Sequence, residues 1–258
     1  MGVVWIASYP KSGNTWMRFL LANYLAGPIE RSDQVEALIP DYMKKPDLQG
    51  LLTQRPVVYS KTHYLWSGAH PFALHTDRRI VVIRHPKDVL LSNLNYRRLN
   101  RGSSQGFTDA AYARTFITYG GDPEFIRGGF GTLEQNVTSW TQPSFGPAQL
   151  VIRYEDLKAD AARELSRIVS YLSLPLDLER LEMAVSHSHF DRMRAMEVRE
   201  KTKGGRSAVF AGTPPRPGWA RYFINEGKVR GSLAHLGREC DRAFNNRFGP
   251  LMKRLGYS

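Results

Sequence analysis

The chain has 258 residues, of which 42% are hydrophobic and 23% are charged, a composition typical of a folded domain with a substantial core. Its single cysteine, Cys240, excludes a disulfide framework and a cysteine-based metal site. The net charge of +12 predicts a negatively charged ligand. The basic residues are scattered, without the runs typical of nucleic-acid-binding modules, so we expect no nucleic-acid partner.

The first residues lack the basic region of a signal peptide, and the apolar run at residues 19–26 is too short to cross a membrane. We therefore expect a cytoplasmic protein with no membrane partner. The length and the absence of repeats or low-complexity tracts favour a single domain over residues 1–258.

The first predicted elements are a buried strand at residues 3–7 and a helix that begins near Trp16. The segment between them is predicted to be a tight loop at a helix N-terminus, where free backbone N–H groups and the helix dipole favour an anion. The alternative is a plain turn with a surface lysine. The loop is not a Walker A sequence, because its lysine precedes its glycine and there is no first glycine.

Four residues of this loop have side chains or backbone freedom suited to an anion. Gly13 lets the backbone approach a ligand closely. Lys11 adds a point charge, and Ser12 and Thr15 add hydroxyl donors.

A second strand, at residues 57–60, leads into Lys61, Thr62 and His63. In parallel α/β sheets, ligands bind at this carboxyl end of the strands. Strand alternation places Lys61 and His63 on one face, which raises the case for a functional rather than a structural histidine.

A third strand, at residues 80–83, ends at Arg84, and a helix follows through residue 100. A P-loop nucleotide hydrolase would have a strand ending in Asp to organise Mg²⁺. A guanidinium at this edge instead suits an oxyanion, unless it pairs with an acid such as Asp88. Ser92 lies two turns into the helix, on the side that can face the loop.

The second half of the chain is predicted to contain a strand at residues 149–153, helices at 161–172 and 178–185, a basic Gly/Pro-rich loop at 201–218, and a helical region at 225–255. Between residues 101 and 131 a helix flanked by loops carries five aromatic residues, which either join the core or line an acceptor pocket: Phe107, Phe116, Tyr119, Phe125 and Phe130.

Residues 9–16, Lys61-Thr62-His63, and residues 84–89 with Ser92 together resemble three signatures of the sulfotransferases that use 3′-phosphoadenosine 5′-phosphosulfate (PAPS), most closely the cytosolic small-molecule enzymes. Residues 131–140 resemble the family's G-x-W-x-x-H-V-x-S-W helix, with Leu133 and Asn136 in place of its Trp and His. Residues 154–158 and 188–193 resemble its Y-E-D-L/M-K and T-S-F-x-x-M segments. The resemblance extends from about residue 3 to residue 219.

The resemblance implies an α/β fold of three layers, with a mainly parallel sheet, a P-loop-like loop and helices on both faces. It also implies a role for each matching residue. The 5′-phosphosulfate would be held by Lys11, Ser12, Gly13, Asn14, Thr15 and Trp16, the 3′-phosphate by Arg84 and Ser92, and the adenine by Trp16, Tyr154, Ser188 and Phe190, with His63 as general base.

The family also has an R-K-G-x-x-G-x-W segment that closes over the 3′-phosphate. This chain keeps Gly218 and Trp219 of that pattern, and Arg216 or Arg206 could supply the missing cation. We expect Arg216, because it lies nearer to the Gly-Trp pair, and we expect the segment to be mobile until nucleotide binds.

The implied reaction is in-line sulfuryl transfer to a hydroxyl or amine without a metal, leaving adenosine 3′,5′-bisphosphate (PAP). Lys11 and Lys61 could neutralise charge on the departing phosphate, and His63 could take the acceptor's proton. The alternatives are a nucleotide kinase on a related fold and a non-catalytic nucleotide- or nucleic-acid-binding protein. The compact chain looks bacterial and favours a small-molecule or natural-product acceptor. The sequence leaves the acceptor's identity and the oligomeric state open.

Overall fold

The computed structural model describes residues 2–101, 108–142, 146–202, 207–210, 222–224, 227–229 and 231–257. Within them, a four-stranded sheet has the order β2-β1-β3-β4, and every neighbouring pair is parallel. The strands are Gly2–Ala7 (β1), Val57–Thr62 (β2), Thr76–Ile83 (β3) and Gln149–Arg153 (β4).

Helices cover both faces of this sheet. Their bounds in the described part of the chain are Asn14–Ala26 (α1), Ser32–Leu38 (α2), Gln49–Leu52 (α3), Pro86–Arg101 (α4), Asp109–Tyr119 (α5), Pro123–Phe125 (α6), Leu133–Thr141 (α7), Tyr154–Ala159 (α8), Ala161–Tyr171 (α9), Leu178–His187 (α10), Phe190–Thr202 (α11) and Arg238–Arg254 (α12), with a π-helical segment at Ile126–Phe130 and a 3₁₀ turn at Ala234–Leu236.

The central strand β1 is buried along its whole length and divides the core into two halves. Val4 and Ile6 pack into one hydrophobic cluster with α1, α9 and α10. Trp5 and Ala7 point the opposite way, into a second cluster with α4, α5, α7 and α12. This alternation is the period-2 pattern of a strand covered on both sides. The three-layer, parallel α/β fold expected from the sequence is therefore confirmed.

The strand order places a ligand site at the carboxyl end of β1. The two strands that follow β1 in the chain pair with its opposite edges, so the chain runs from β1 to one side and then crosses back to the other. In open α/β sheets a crevice forms at such a switch point. The loop that follows β1 enters this crevice.

A buried polar cluster fixes Tyr9, near the start of that loop. The hydroxyl of Tyr9 accepts a hydrogen bond from the backbone N–H of Asp122 at 2.9 Å. The carboxylate of Asp122 in turn accepts from Arg97 Nε of α4 at 2.7 Å and from the hydroxyl of Tyr112 of α5 at 2.5 Å. Burial is the main cause of the raised pKa of Tyr9, which keeps the phenol neutral. The loop is thus tied to two helices on one side of the sheet.

The sequence correctly placed all four strands and the helices α1, α4, α9 and α10, but it did not predict the helices α8 and α11. The helix expected over residues 225–255 is wrong in its first half, because helix α12 begins only at Arg238. Side chains from other elements bind the earlier backbone instead: Arg84 donates to the carbonyl oxygen of Lys228, and Asp88 accepts from the N–H of Gly231. Backbone groups used in this way do not form helical hydrogen bonds. None of the described helices has the length and hydropathy needed to cross a membrane.

Candidate active site

A cavity of about 520 Å³ lies at the carboxyl ends of β1, β2 and β3. Most of the predicted site residues that the structure describes line it together. They are Lys11, Gly13, Asn14, Thr15, Trp16, Lys61, His63, Arg84, Ser92, Tyr154 and Phe190.

The loop after β1 has the backbone shape expected of an anion-binding turn. Gly13 is the N-cap of α1 with φ of 107°, and Lys11 has φ of 72°, a left-handed value uncommon for a residue other than glycine. Asn14 Nδ2 donates to the carbonyl oxygen of Ile6 at 2.9 Å and so fixes the first turn of α1 to β1. The side chain of Ser12 is buried and does not line the cavity, and its Oγ has no hydrogen-bond partner among the described residues.

The ammonium of Lys11 lies between two aromatic rings. Its Nζ is 4.0 Å from the ring centroid of Phe223 and 4.6 Å from that of Tyr96. Burial, and then repulsion by the guanidinium of Arg84, lowers the pKa of Lys11 to about 7. A bound anion next to this nitrogen would favour its charged form.

Arg84 connects the loop to a distant segment of the chain. Its Nη1 donates to the carbonyl oxygen of Lys11 at 3.1 Å, and its Nη2 donates to that of Lys228 at 2.7 Å. The guanidinium also lies 4.2 Å from the ring centroid of Tyr154. Its buried Nε has no partner within the described residues. Ser92 of α4 also lines the cavity.

A segment that the sequence analysis did not assign to the site reaches Arg84. Gly227, Lys228, Gly231 and Ser232 line the cavity. The sequence signal that could have found them is a pair of glycines around two basic residues, at positions 227–231. The predicted Arg216, Gly218 and Trp219, and the alternative Arg206, lie outside the described residues, so their predicted role stays a prediction.

Three aromatic side chains form a cleft beside the loop. The ring centroid of Trp16 is 5.8 Å from that of Tyr154 and 4.9 Å from that of Phe190, both in edge-on arrangements. The backbone of Gly13 packs directly on this cleft, because a Cβ there would lie 2.4 Å from Tyr154 Cδ2. Such a cleft suits a flat heterocycle.

Ser188, expected in the same cleft, is fully buried behind it. Its Oγ accepts from Asn23 Nδ2 of α1 at 3.0 Å. The structure therefore places Ser188 as a link between α1 and the end of α10, outside the cavity lining.

One ring nitrogen of His63 is engaged in a hydrogen bond to the backbone. Its Nδ1 lies 2.6 Å from the carbonyl oxygen of Ser8, so Nδ1 carries the proton and donates it. Nε2 is then the nitrogen that can accept a proton. Asn136, which stands in place of the family's histidine, fixes the backbone by donating from Nδ2 to the carbonyl oxygen of His63 at 2.8 Å. Burial, followed by the charge of Lys61, keeps the pKa of His63 well below its ordinary value, so the ring is neutral at pH 7.

Lys61 is less free than the sequence suggested. Its Nζ forms a buried ion pair with Asp41 Oδ2 at 2.8 Å. Both residues line the cavity together with His63. No feature of the sequence analysis indicated this pair.

Aromatic rings wall the cavity on the side of His63. The ring of Phe130 is 5.8 Å from that of His63 and 5.9 Å from that of Phe125, and Tyr96 continues the wall at 6.1 Å from Phe125. Of the five aromatic residues predicted as either core or pocket, Phe125 and Phe130 line the cavity. Phe116 is in the core, Tyr119 is largely exposed, and Phe107 lies outside the described residues.

Comparison with known proteins places this cavity in a family. The family model described as "Sulfotransferase domain" matches residues 2–256. Rat sulfotransferase 1A1 is 28% identical over 202 residues, which is 73% of this chain and 66% of the relative. Human sulfotransferase 2B1 is 25% identical over 199 residues, 74% of this chain and 52% of the relative. The chain thus spans between about half and two thirds of the length of these two relatives.

Solved structures share the fold. Mouse sulfotransferase SULT7A1 complexed with PAP superposes with a TM-score of 0.67 at 17% identity, covering 97% of this chain and 84% of that one. Retinol dehydratase in complex with androsterone and PAP has a TM-score of 0.61 at 18% identity, covering 95% and 80%. The resemblance in the sequence motifs is confirmed by the match along the chain, and the protein belongs to the sulfotransferase domain family.

Proposed function

We propose that this chain transfers a sulfuryl group from PAPS to a hydroxyl or amine of a small molecule. One observation carries the proposal: the cavity has two cationic poles, at the Lys11 loop and at Arg84, with an aromatic cleft beside them. A nucleotide with a phosphosulfate and a separate 3′-phosphate requires two such poles. The PAP bound in two of the structurally similar proteins supports the same ligand class.

The buried polar atoms around the cavity fit this co-substrate. Ser12 Oγ, Trp16 Nε1 and Arg84 Nε are buried and have no partner among the described residues. A buried donor without a partner costs about 1–3 kcal/mol, so a cluster of them at one cavity is expected where a polar ligand binds. In this assignment Lys11, Asn14, Thr15 and the N-terminus of α1 hold the phosphosulfate, and Trp16, Tyr154 and Phe190 hold the adenine.

The 3′-phosphate is assigned to Arg84 and Ser92, with Lys228 as an added candidate. Arg84 donates two of its five N–H groups to carbonyl oxygens, which leaves three, including Nε–H, for a phosphate. A phosphate oxygen is the stronger acceptor because it is charged. We assign Gly227 and Gly231 to the wall that closes this pole.

In the reaction the co-substrate supplies the sulfuryl group and a phosphate as leaving group. His63 Nε2 accepts the proton of the acceptor hydroxyl or amine, because Nδ1 is committed to the carbonyl of Ser8. The cations of Lys11 and Lys61 stabilise negative charge that develops on the oxygen between sulfur and the leaving phosphate. We predict that this chemistry requires no metal and that chelators leave the rate unchanged.

The acceptor class follows from the cavity wall next to His63. Phe125, Phe130 and Tyr96 present apolar ring surface there, which favours an acceptor with a flat apolar body, such as a phenol. Alcohols, amines, sugars and peptide hydroxyls remain open as acceptors. The androsterone bound by one structural neighbour agrees with a small-molecule acceptor.

The test is transfer of radiolabelled sulfate from PAPS to a panel of phenols, alcohols, amines and sugars, with and without EDTA, together with a titration of PAP by calorimetry. We expect PAP to bind and at least one acceptor to become labelled. Mg²⁺-dependent phosphate transfer from ATP would instead indicate a nucleotide kinase. Salt-sensitive DNA binding without PAP binding would indicate a nucleic-acid-binding protein.

A further inference from the structure

Asp41 is fixed beside Lys61 by the backbone as well as by the side chains. The backbone N–H of Tyr42 donates to the carbonyl oxygen of Lys61 at 2.9 Å, and the N–H of Lys61 donates to that of Pro40, also at 2.9 Å. These bonds make residues 40–42 a short parallel extension of the sheet next to β2. Asp41 therefore meets Lys61 at the edge of the cavity without relying on a flexible loop.

The carboxylate of Asp41 has a defined partner on each side. Oδ2 accepts from Lys61 Nζ at 2.8 Å, and Oδ1 accepts from the backbone N–H of Met43 at 3.1 Å. The N–H of Asp41 donates to Glu36 Oε1 at 2.9 Å, and Glu36 Oε2 accepts from Arg18 of α1 at 2.8 Å. The side chains of Asp41 and Lys61 are only about one tenth exposed. A chain of buried charges thus connects α1, next to the nucleotide loop, to Lys61.

Apart from Glu36, the titratable groups that face this pair are basic. Arg18 comes from α1, Lys44 from the loop after Asp41, Lys11 from the loop after β1, and His63 follows β2. Burial lowers the pKa of Lys61 to about 8, and the charge of Asp41 acts in the opposite direction. Asp41 likewise opposes the lowering of the pKa of His63. One carboxylate therefore acts on both groups assigned to the chemistry.

We propose that Asp41 is a positioning residue of this site, which holds the ammonium of Lys61 charged and in place beside His63. Asp41 itself is unsuited to take the acceptor's proton, because Oδ2 is paired with Lys61 and Oδ1 with Met43. One N–H of Lys61 is used by Asp41, and Nζ also lies 3.9 Å from Met43 Sδ, a weak acceptor. The third N–H remains for an oxygen atom of the acceptor or of the leaving group. The catalytic part of this inference rests on the proposed function, whereas the ionisation of Lys61 does not.

The first test needs no acceptor. The Cε signals of lysines are titrated by NMR in the wild-type chain and in D41N, with the Lys61 signal identified by its loss in K61M. We expect the pKa of Lys61 to fall by about one unit or more in D41N, as for a buried ammonium that loses its carboxylate, and to recover in D41E. The matched control is D33N, an acid-to-amide change at an exposed ion pair of α2. An unchanged Lys61 titration in D41N overturns the proposal.

The second test asks whether Asp41 acts through Lys61. With a labelled acceptor from the panel, we expect D41N to lower kcat about 10- to 100-fold, the range for a displaced catalytic group, and PAP affinity to stay within about twofold. The loss should grow at higher pH, where the less protected ammonium of Lys61 deprotonates. In a K61M background, D41N should cause almost no further loss. If D41N lowers kcat equally in the K61M and wild-type backgrounds, or lowers PAP affinity as much as kcat, Asp41 acts only on folding and the proposal is overturned.

The two tests separate this inference from the proposed function. If the wild-type chain binds no PAP and labels no acceptor, the proposed function fails, and the NMR titration still decides whether Asp41 holds Lys61 as a cation. Thermal unfolding of D41N and D41E measures any general loss of stability in parallel.

Discussion

His63 is tethered on one side of its ring, and this determines what the other side can do. With Nδ1 donating to the carbonyl of Ser8, Nε2 carries the free lone pair. We predict that His63→Ala lowers kcat by about 10²- to 10⁴-fold, the usual contribution of a general base, with PAP affinity unchanged. Sulfate transfer and calorimetric PAP binding measure the two quantities. Full activity in this variant would remove His63 from the role.

The pH dependence of that step follows from the lowered pKa of His63. A base works only in its neutral form, so kcat/KM should fall on the acid side as His63 becomes protonated. Because burial and Lys61 disfavour the charged ring, we expect this fall below pH 6.5, the ordinary value for histidine.

Arg84 has both a ligand role and a structural role to distinguish. Its guanidinium joins the Lys11 loop to Lys228, which lies 144 residues after Arg84 in the chain. We predict that Arg84→Ala weakens PAP binding by about 10- to 100-fold, the value of hydrogen bonds to a charged group, and weakens binding of adenosine 5′-monophosphate much less. Calorimetry with both nucleotides measures the difference. Equal losses would mean that Arg84 only holds the cavity wall together.

At the level of elements, the strand-loop-helix unit at the start of the chain was predictable from local sequence. Apolar residues up to Ala7, Gly13 at the turn and a mostly apolar run without Gly or Pro after Trp16 leave little choice of structure. The part of the cavity wall formed by Gly227, Lys228, Gly231 and Ser232 was not predictable in the same way. Its basic, glycine-bearing sequence fits a helix end or a loop equally well, and contacts with Arg84, Asp88 and Tyr154 decide its path.

Gly13 tests how tightly the loop and the aromatic cleft are coupled. The backbone at this position is left-handed, a conformation that costs a residue with a Cβ about 1–2 kcal/mol. The Cβ would also lie 2.4 Å from the ring of Tyr154. We predict that Gly13→Ala destabilises the chain and abolishes PAP binding. The control is Gly27→Ala at the other end of α1, where φ is 85° and a Cβ meets nothing within 4 Å. Urea unfolding should show lower stability in both variants. Calorimetry should show loss of PAP binding in Gly13→Ala only.

At the scale of the whole molecule, the sequence specified the layers of the fold better than the contacts between distant groups. The side chains of β1 and β3 alternate between the two core clusters, as expected for apolar strands covered by helices on both faces. The pairing of Asp41 with Lys61 depends on a bridge between segments 20 residues apart, and no local pattern encodes it. The net charge of +12 indicated an anionic ligand, and part of that charge is concentrated at one cavity, at Lys11, Lys61, Arg84 and Lys228.

The core also contains a titratable group that links global stability to pH. His70 is buried among the rings of Trp5, Tyr42 and Trp66, at centroid distances of 4.9, 5.5 and 5.6 Å. Its Nδ1 accepts from the backbone N–H of Phe72 at 3.3 Å, and within the described residues Nε2 has no partner. Burial lowers the pKa of His70 to about 4.

Between pH 6.5 and about 4 the unfolded chain therefore binds a proton at His70 that the folded chain does not. The stability that His70 contributes is complete above pH 6.5 and is lost as the pH falls toward 4, by up to about 3 kcal/mol. We predict that His70→Asn, whose amide oxygen can replace Nδ1 as acceptor, reduces the difference in unfolding free energy between pH 7 and pH 4.5. Urea unfolding at the two pH values measures it, and exposed His235→Asn should leave the difference unchanged. If His70→Asn and the wild-type chain lose equal stability on acidification, the buried imidazole is not the group that links folding to pH.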